Sequence, residues 1–275
     1  MATSQTKETA LSQSANRWRI IRILLAICLV GVVLLPFLLL LGLSLSRQWI
    51  YPHLLPQQVG LMNWTQLLGY QQNLLWSLGL SLALSLSVAF IATWAGFFTG
   101  RMLAYHPRGR QLLKLAYLPY VISPVIYAAC LKVYFIWFGL DARFWGVLLA
   151  QLMIAYPFSV ILFSEYWSHR TQALEQLVAT LGGSPRQTVW KVLVPISRNI
   201  LLVSFFQTFL ISWFEYGLTQ LIGLGKVPTL TVMVFGYLKE ANIYFAALAS
   251  CLLVMPPLLL LWINKKYVLS GRGSH

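Results

Sequence analysis

Six apolar stretches divide the chain, and polar residues gather between them. Ile23–Leu45 and Leu74–Gly100 carry no charge, and the run from about Leu112 to Phe138 holds Lys132 in its later half. Phe144–Ser164 and Ile243–Ile263 are again uncharged, and Asn199–Leu224 contains Glu215. A bilayer-spanning helix needs about 20 mostly apolar residues, and each run supplies them. Barrel strands alternate apolar and polar positions over about 10 residues, and none of these runs does so. The pattern predicts an all-α membrane protein with six transmembrane helices.

The polar segments orient the spans. Lys7, Arg17, Arg19 and Arg22 precede the first span, and Arg101, Arg108, Arg110 and Lys114 follow the second. Arg170, Arg186, Lys191 and Arg198 follow the fourth, and Lys265, Lys266 and Arg272 follow the sixth. The opposite side carries only Arg47, Arg143, Lys226 and Lys239. The excess of Lys and Arg on cytoplasmic loops predicts both termini inside. Residues 1–22 then form a cytoplasmic N-terminal tail and residues 23–45 the first transmembrane helix. The outer loop Arg47–Gln72 offers Trp49, Tyr51 and Trp64 to the interfacial belt.

Composition narrows the classes further. Apolar residues make up 59% of the 275 and charged residues 9%, against about half and about a quarter in a soluble domain. A soluble enzyme, a secreted disulfide scaffold and a disordered chain are all excluded. The net charge of +14 would suggest nucleic acid in a soluble protein. Here the basic residues sit in short clusters between apolar runs, so membrane lipid is the expected partner and nucleic acid is not. Cys28, Cys130 and Cys251 lie inside apolar runs without Cys-x-x-Cys spacing, which reads as small buried hydrophobes. His53, His106 and His169 fall in different loops on two sides, so no metal site is expected from them.

One inner loop, residues 165–198, is long enough for structure of its own. Leu174, Leu177, Val178 and Leu181 recur at helical spacing. Gly182-Gly183 stops that helix, because glycine accepts the left-handed conformation of a helix end. Ser184-Pro185 starts a second one, Ser as cap and Pro in the first turn, running to about Leu193 and ending before Pro195. The loop is therefore a helix–turn–helix with an amphipathic face for lipid headgroups or a protein groove.

Leu181-Gly182-Gly183-Ser184-Pro185, with Val192 and Pro195 ten and thirteen residues after the glycine, resembles the coupling motif of ABC importer permeases. Gln176-Leu177-Val178 stand where that family has Glu-Ala-Ala, and Glu175 lies one position early. Either Glu175 or Gln176 takes the usual acidic coupling position. The resemblance extends over residues 74–263, whose order of elements is similar to the five-helix core of a type I ABC importer transmembrane domain. Leu118-Pro119-x-x-x-x-Pro124 resembles the family's two-proline pattern and predicts a bent or broken third span. Ser212-Trp-Phe-Glu215-Tyr-Gly217 is similar both to polyamine permeases and to sulfate, molybdate and iron permeases.

The resemblance implies a subunit of a bacterial inner-membrane importer, of the polyamine, iron, sulfate, thiamine or phosphonate-like branch. It implies a cytoplasmic ABC ATPase dimer coupled through Glu175, Gln176, Gly182, Gly183 and Pro195. It also implies a second permease subunit, alike or different, and an extracytoplasmic solute-binding protein. The chain has no Gly-x-x-x-x-Gly-Lys-Ser/Thr loop. ATP and Mg then belong to the partner ATPase, this chain is not itself an enzyme, and it needs no cofactor of its own.

Ser204, Thr208, Ser212, Glu215 and Thr219 fall on one face of the fifth span. The stripe either lines a translocation path or joins helices by hydrogen bonds. For Glu215 the expectation is a place on the path, because an ionisable group in a span normally faces protein or water. Lys132 is expected to snorkel towards the outer interface. In the second span Ser77, Ser81, Ser85, Ala89, Gly96 and Gly100 recur at near four-residue steps, which suits close helix contact. The alternatives are a polytopic membrane enzyme and a structural membrane subunit. An enzyme of the transferase kind needs paired carboxylates for a metal, and the six acidic residues are scattered. A structural subunit has no need of a capped helix pair.

Overall fold

Every apolar run becomes helix. The computed structural model describes residues 2–48, 58–61, 63–65 and 72–269; Trp49, Tyr51 and His53 lie outside the described residues. Helix α1 spans Ala2–Leu45. A two-stranded antiparallel pair follows, β1 (Ser46–Gln48) with β2 (Gln58–Val59). Then come α2 (Gln72–Tyr105), α3 (Gly109–Ala116), α4 (Leu118–Val121), α5 (Pro124–Trp137) and α6 (Phe144–Tyr166). Helices α7 (His169–Thr180) and α8 (Pro185–Ile196) fill the inner loop. The chain closes with α9 (Arg198–Trp213), α10 (Gly217–Gly223), α11 (Leu230–Lys239) and α12 (Ile243–Leu269).

Four helical stretches are long and apolar enough to cross a membrane unbroken: Ile21–Leu45, Asn73–Tyr105, Phe144–Tyr166 and Ile243–Ile263. Two bent pairs also pass that test by length and composition, which gives four to six candidate spans among the described residues. Gly109–Val121 and Pro124–Trp137 meet at 98°, and Pro185–Ile196 and Arg198–Trp213 at 75°. The first bend falls where the two prolines predict it. Ile122, at φ −107° and ψ 139°, and Ser123, at φ −56° and ψ 135°, are both extended ahead of Pro124. A proline forces its predecessor out of the helical region.

The fifth run departs from a single span. Helix α9 is 16 residues long, about 24 Å at 1.5 Å per residue and short of a hydrocarbon core of about 30 Å. It stops at Trp213, and α10 restarts four residues later. Helix α1 begins at Ala2, so residues 2–22 are helical and continuous with the first apolar run. Residues 2–22 contain no glycine or proline to end the helix, so it continues upstream of the apolar run.

Helices α2, α6 and α9 form the centre. Leu84, Val88, Val147, Ile154, Leu218 and Ile222 are buried together where α10 packs on α5 and α6. Phe209, Trp213, Leu230 and Leu248 bury the opposite side against α11 and α12. Phe97, Phe163, Trp167 and Leu193 close the end nearest the inner loop. Helix α1 stands outside, leaning on α12, with its apolar side chains exposed. The cysteines correct an expectation: Cys28 and Cys130 are exposed and Cys251 half-buried. A span's outer face is apolar because it meets lipid, so an apolar run does not distinguish core from surface.

The small residues of α2 permit the central contact. Ser77, Ser81, Ser85 and Ala89 are buried. A Cβ at Gly96 would lie 2.2 Å from Ser159 Oγ, and one at Gly100 would lie 2.6 Å from Phe163 Cβ. Any side chain there drives α2 from α6. Gly96→Val is therefore expected to cost about 1–3 kcal/mol, the usual penalty of overpacking. Gly79→Ala, inside the same helix where nothing lies within 4 Å, is expected to raise stability by about 0.5–1 kcal/mol. Thermal unfolding of the two purified variants in detergent checks the contrast.

Candidate functional site

The inner loop is held by local chemistry at each end of its turn. Helix α7 closes on a Schellman motif: the Gly183 amide donates to Val178 O at 2.9 Å and the Gly182 amide to Ala179 O at 3.1 Å. Gly182 has φ +79°, as the stop signal predicts. Gly183 is required for a different reason, since a Cβ there would lie 2.5 Å from Val178 Cγ1. Ser184 then opens α8 with a capping box. Its Oγ accepts from the Gln187 amide at 3.3 Å, and Gln187 Oε1 accepts from the Ser184 amide at 3.1 Å.

Helix α8 runs three residues past the expected end at Leu193, to Ile196. Thr188–Leu193 form a widened π turn, and Val194–Ile196 continue the helix through Pro195. The wide turn lies directly ahead of the residue that has no amide hydrogen to donate, and π turns absorb such irregularities. Trp190, 55% exposed, stands on this turn against Trp94 of α2, ring centroids 5.4 Å apart.

Glu175 and Gln176 face different ways. Glu175 Oε1 accepts from Arg101 Nε at 3.0 Å and from the Tyr105 hydroxyl at 3.1 Å, and Glu175 Oε2 pairs with Arg101 Nη2. This is the one salt bridge among the described residues, and it ties α7 to the last turns of α2. The bidentate fork is the strong form of such a pair. Gln176 is exposed. Around it Leu177 is 56% and Leu181 79% exposed, so the loop presents an apolar tip with a neutral amide.

The polar stripe is divided by the break in the fifth run. Ser204, Thr208 and Ser212 lie on α9 and Thr219 on α10, and all four are buried. Ser204 Oγ is 2.9 Å from Ser159 Oγ of α6, and Thr208 Oγ1 is 3.4 Å from Thr93 Oγ1 of α2. Ser212 Oγ lies 3.1 Å from Ser85 Oγ and donates to Gln151 Oε1. Gln151 Nε2 in turn donates to Thr219 Oγ1 at 2.9 Å. In this conformation the four hydroxyls point into the bundle and join helices, rather than opening onto a path.

Glu215 occupies the break itself. Its Oε1 accepts from the Leu218 amide at 3.0 Å, and its Oε2 accepts from the Thr219 amide at 3.1 Å and the Thr219 hydroxyl at 3.3 Å. The carboxylate satisfies the free amides that begin α10, the placement a helix start favours for a negative group. Gly217 beside it allows the turn to press on α5, since a Cβ there would lie 3.0 Å from Val125 Cγ2. Sequence reasoning missed Gln151. Its signal was available, as the one amide in an otherwise uncharged fourth span.

No protein-family model matches the chain. It is 29% identical over 170 residues to "Sulfate permease 2, chloroplastic" of Chlamydomonas reinhardtii, covering 56% of this chain and 46% of that protein. It is 28% identical over 132 residues to "Sulfate transport system permease protein CysT" of Synechococcus elongatus, covering 46% and 47%. It is 25% identical over 148 residues to "Inner membrane ABC transporter permease protein YnjC" of Escherichia coli, covering 54% and 29%. The matched stretch is thus less than half of each relative's own length. Among solved structures, a chain of the MetNI methionine ABC transporter in an inward-facing conformation is similar. The TM-score is 0.53 at 17% identity, over 72% of this chain and 98% of that one. The chain has the fold of that transporter's membrane subunit.

The buried seam yields a stability test. Gln151→Leu removes one partner each from Ser212 and Thr219, leaving Ser212 its contact with Ser85 and Thr219 its bond to Glu215. Each lost hydrogen bond costs about 0.5–1.5 kcal/mol. Adding Ser212→Ala to Gln151→Leu removes a hydroxyl whose bond to Gln151 is already gone. The double variant is therefore expected to lose less than the sum of the singles, measured as a double-mutant cycle in thermal unfolding.

Proposed function

We propose that this chain is the permease subunit of an ATP-driven, binding-protein-dependent importer of the ABC class. It forms half of the solute pathway and couples that pathway to a cytoplasmic ATPase. The observation that carries the reading is the inner loop. Two helices fixed by a Schellman motif and a capping box present exposed Leu177 and Leu181 with Gln176 at the tip. An exposed apolar tip on a rigid turn suits insertion into a protein groove. The similar permeases and the shared fold support the same reading.

The coupling element is residues 165–198, within a permease core of residues 74–263 that follows the first span. Gln176 takes the contact position towards the ATPase, because Glu175 is already spent on Arg101 and Tyr105. Gly182 and Gly183 set the tip, and Pro195 lies in the helix that returns the chain to the bundle. The chain works with an ATPase pair, a second permease half and an extracytoplasmic solute-binding protein. The ATP and Mg sites are on the ATPase. The chain crosses the cytoplasmic membrane several times with both termini inside, as the basic residues direct.

Ser204, Thr208, Ser212 and Thr219 act on the pathway indirectly, by fixing the helices that wall it, and Glu215 sets the break between α9 and α10. The solute is an oxyanion rather than a cation. Two of the similar proteins are named for sulfate. Glu215, the residue that suggested a cation, is held by amides of its own helix rather than offered to a solute.

Two experiments test this reading. In intact cells an impermeant thiol reagent should label cysteines placed at Gln58 or Asn242, in a background where the native cysteines are replaced. A cysteine at Ser184 should stay unlabelled; labelling there alone reverses the orientation. Gly182→Val forces a β-branched residue into φ +79°. Normal membrane levels are expected, with at least tenfold weaker capture of the ATPase and loss of transport. Full retention of ATPase capture and of stimulated ATP hydrolysis would show that this loop is not the coupling element.

A further inference from the structure

A second site lies beside the loop and is not used by the function above. A cavity of about 500 Å³ sits where the end of α2, the start of α3 and the end of α6 meet; Tyr105, His106, Arg110, Leu113, Ser164 and Trp167 line it. Its polar walls are donors. Arg110 makes no ion pair among the described residues. His106 Nδ1 accepts from the Arg108 amide at 3.1 Å, so a neutral ring carries its proton on Nε2, free to donate. Helix α3 begins without a side-chain cap; the Gly109 amide donates to His106 O and the Gln111 amide to Arg108 O, which leaves that of Arg110 for another acceptor.

An independent observation points the same way. Trp167 is only 5% exposed, and its indole N–H has no hydrogen-bond partner. Buried donors are paired in the great majority of cases, so a residue that lines the cavity carries an unmet demand for an acceptor. Carboxylates do not fill the role. Glu175 is committed to Arg101, Tyr105 points its hydroxyl at Glu175, and Glu165 is exposed and does not line the cavity.

We infer that this cavity binds a phosphate group, carried either by an anionic phospholipid headgroup or by free inorganic phosphate. A tetrahedral oxyanion offers acceptors to several donors at once: the Arg110 guanidinium, the Arg110 amide and His106 Nε2. Arg110 supplies the charge, and Leu103 and Leu113 give an apolar rim against which a glyceride would rest.

The test uses the full chain purified in a non-ionic detergent and stripped of lipid. Thermal unfolding is followed during titration with dihexanoyl phosphatidylglycerol and, separately, with inorganic phosphate. A saturable rise in Tm is expected with at least one of them. A rise with the lipid alone assigns the headgroup, and a rise with both assigns the phosphate group itself. The Arg110→Gln, His106→Gln double variant should bind at least tenfold more weakly. Arg186→Gln with Lys191→Gln, a basic pair on α8, should bind as the parent does. No rise with either probe, or an equal rise in the Arg110/His106 variant, overturns the inference.

Discussion

The approach of α2 to α6 across Gly96 and Gly100 is the contact on which the rest of the molecule depends. Gly96 sits where its own Cβ would overlap Ser159, so the two backbones are as near as side-chain-free helices allow. In lipid the packing of helices cannot rely on expelling water, and close backbone contact with interhelical hydrogen bonds replaces that drive. Once α2 and α6 are together, α9 meets both. The seam of Ser85, Thr93, Gln151 and Ser159 can then receive Ser204, Thr208 and Ser212. None of those hydroxyls would find its partner if α2 stood further off.

What was legible in the sequence follows from how local each signal is. The bend at Pro124, the stop at Gly182 and the start at Ser184 are decided by a residue and its immediate neighbours. Each stands where the residues placed it. Small residues on α2 also spoke for themselves, because glycine at a four-residue step has one common use in such helices. The break at Glu215 was hidden inside a continuous apolar run, since nothing in hydropathy distinguishes a carboxylate that caps a helix from one that faces a pore. The direction of the serine stripe was equally hidden. A helical stripe is visible in sequence, but which neighbour it meets depends on residues more than 40 positions away.

The cysteines and Glu175 teach the same point from opposite sides. Apolar surroundings in sequence predicted burial for Cys28 and Cys130, and both lie on the outer surface. Position in a coupling-type loop left Glu175 open as a partner contact, and it is bound within its own chain to a residue 74 positions earlier. In both cases the periodicity of one helix was readable and the identity of its surroundings was not.

The Arg101–Glu175 pair makes the loop a lever rather than a flap. Arg101 follows Gly100 directly, and Gly100 is pressed against Phe163. The fulcrum of α7 therefore lies one residue from the tightest seam in the bundle. A push on the tip at Leu181 is borne by α2 and passed into α6 without a slack hinge between them. The price of that stiffness is that the tip has little freedom to change its shape independently of the bundle.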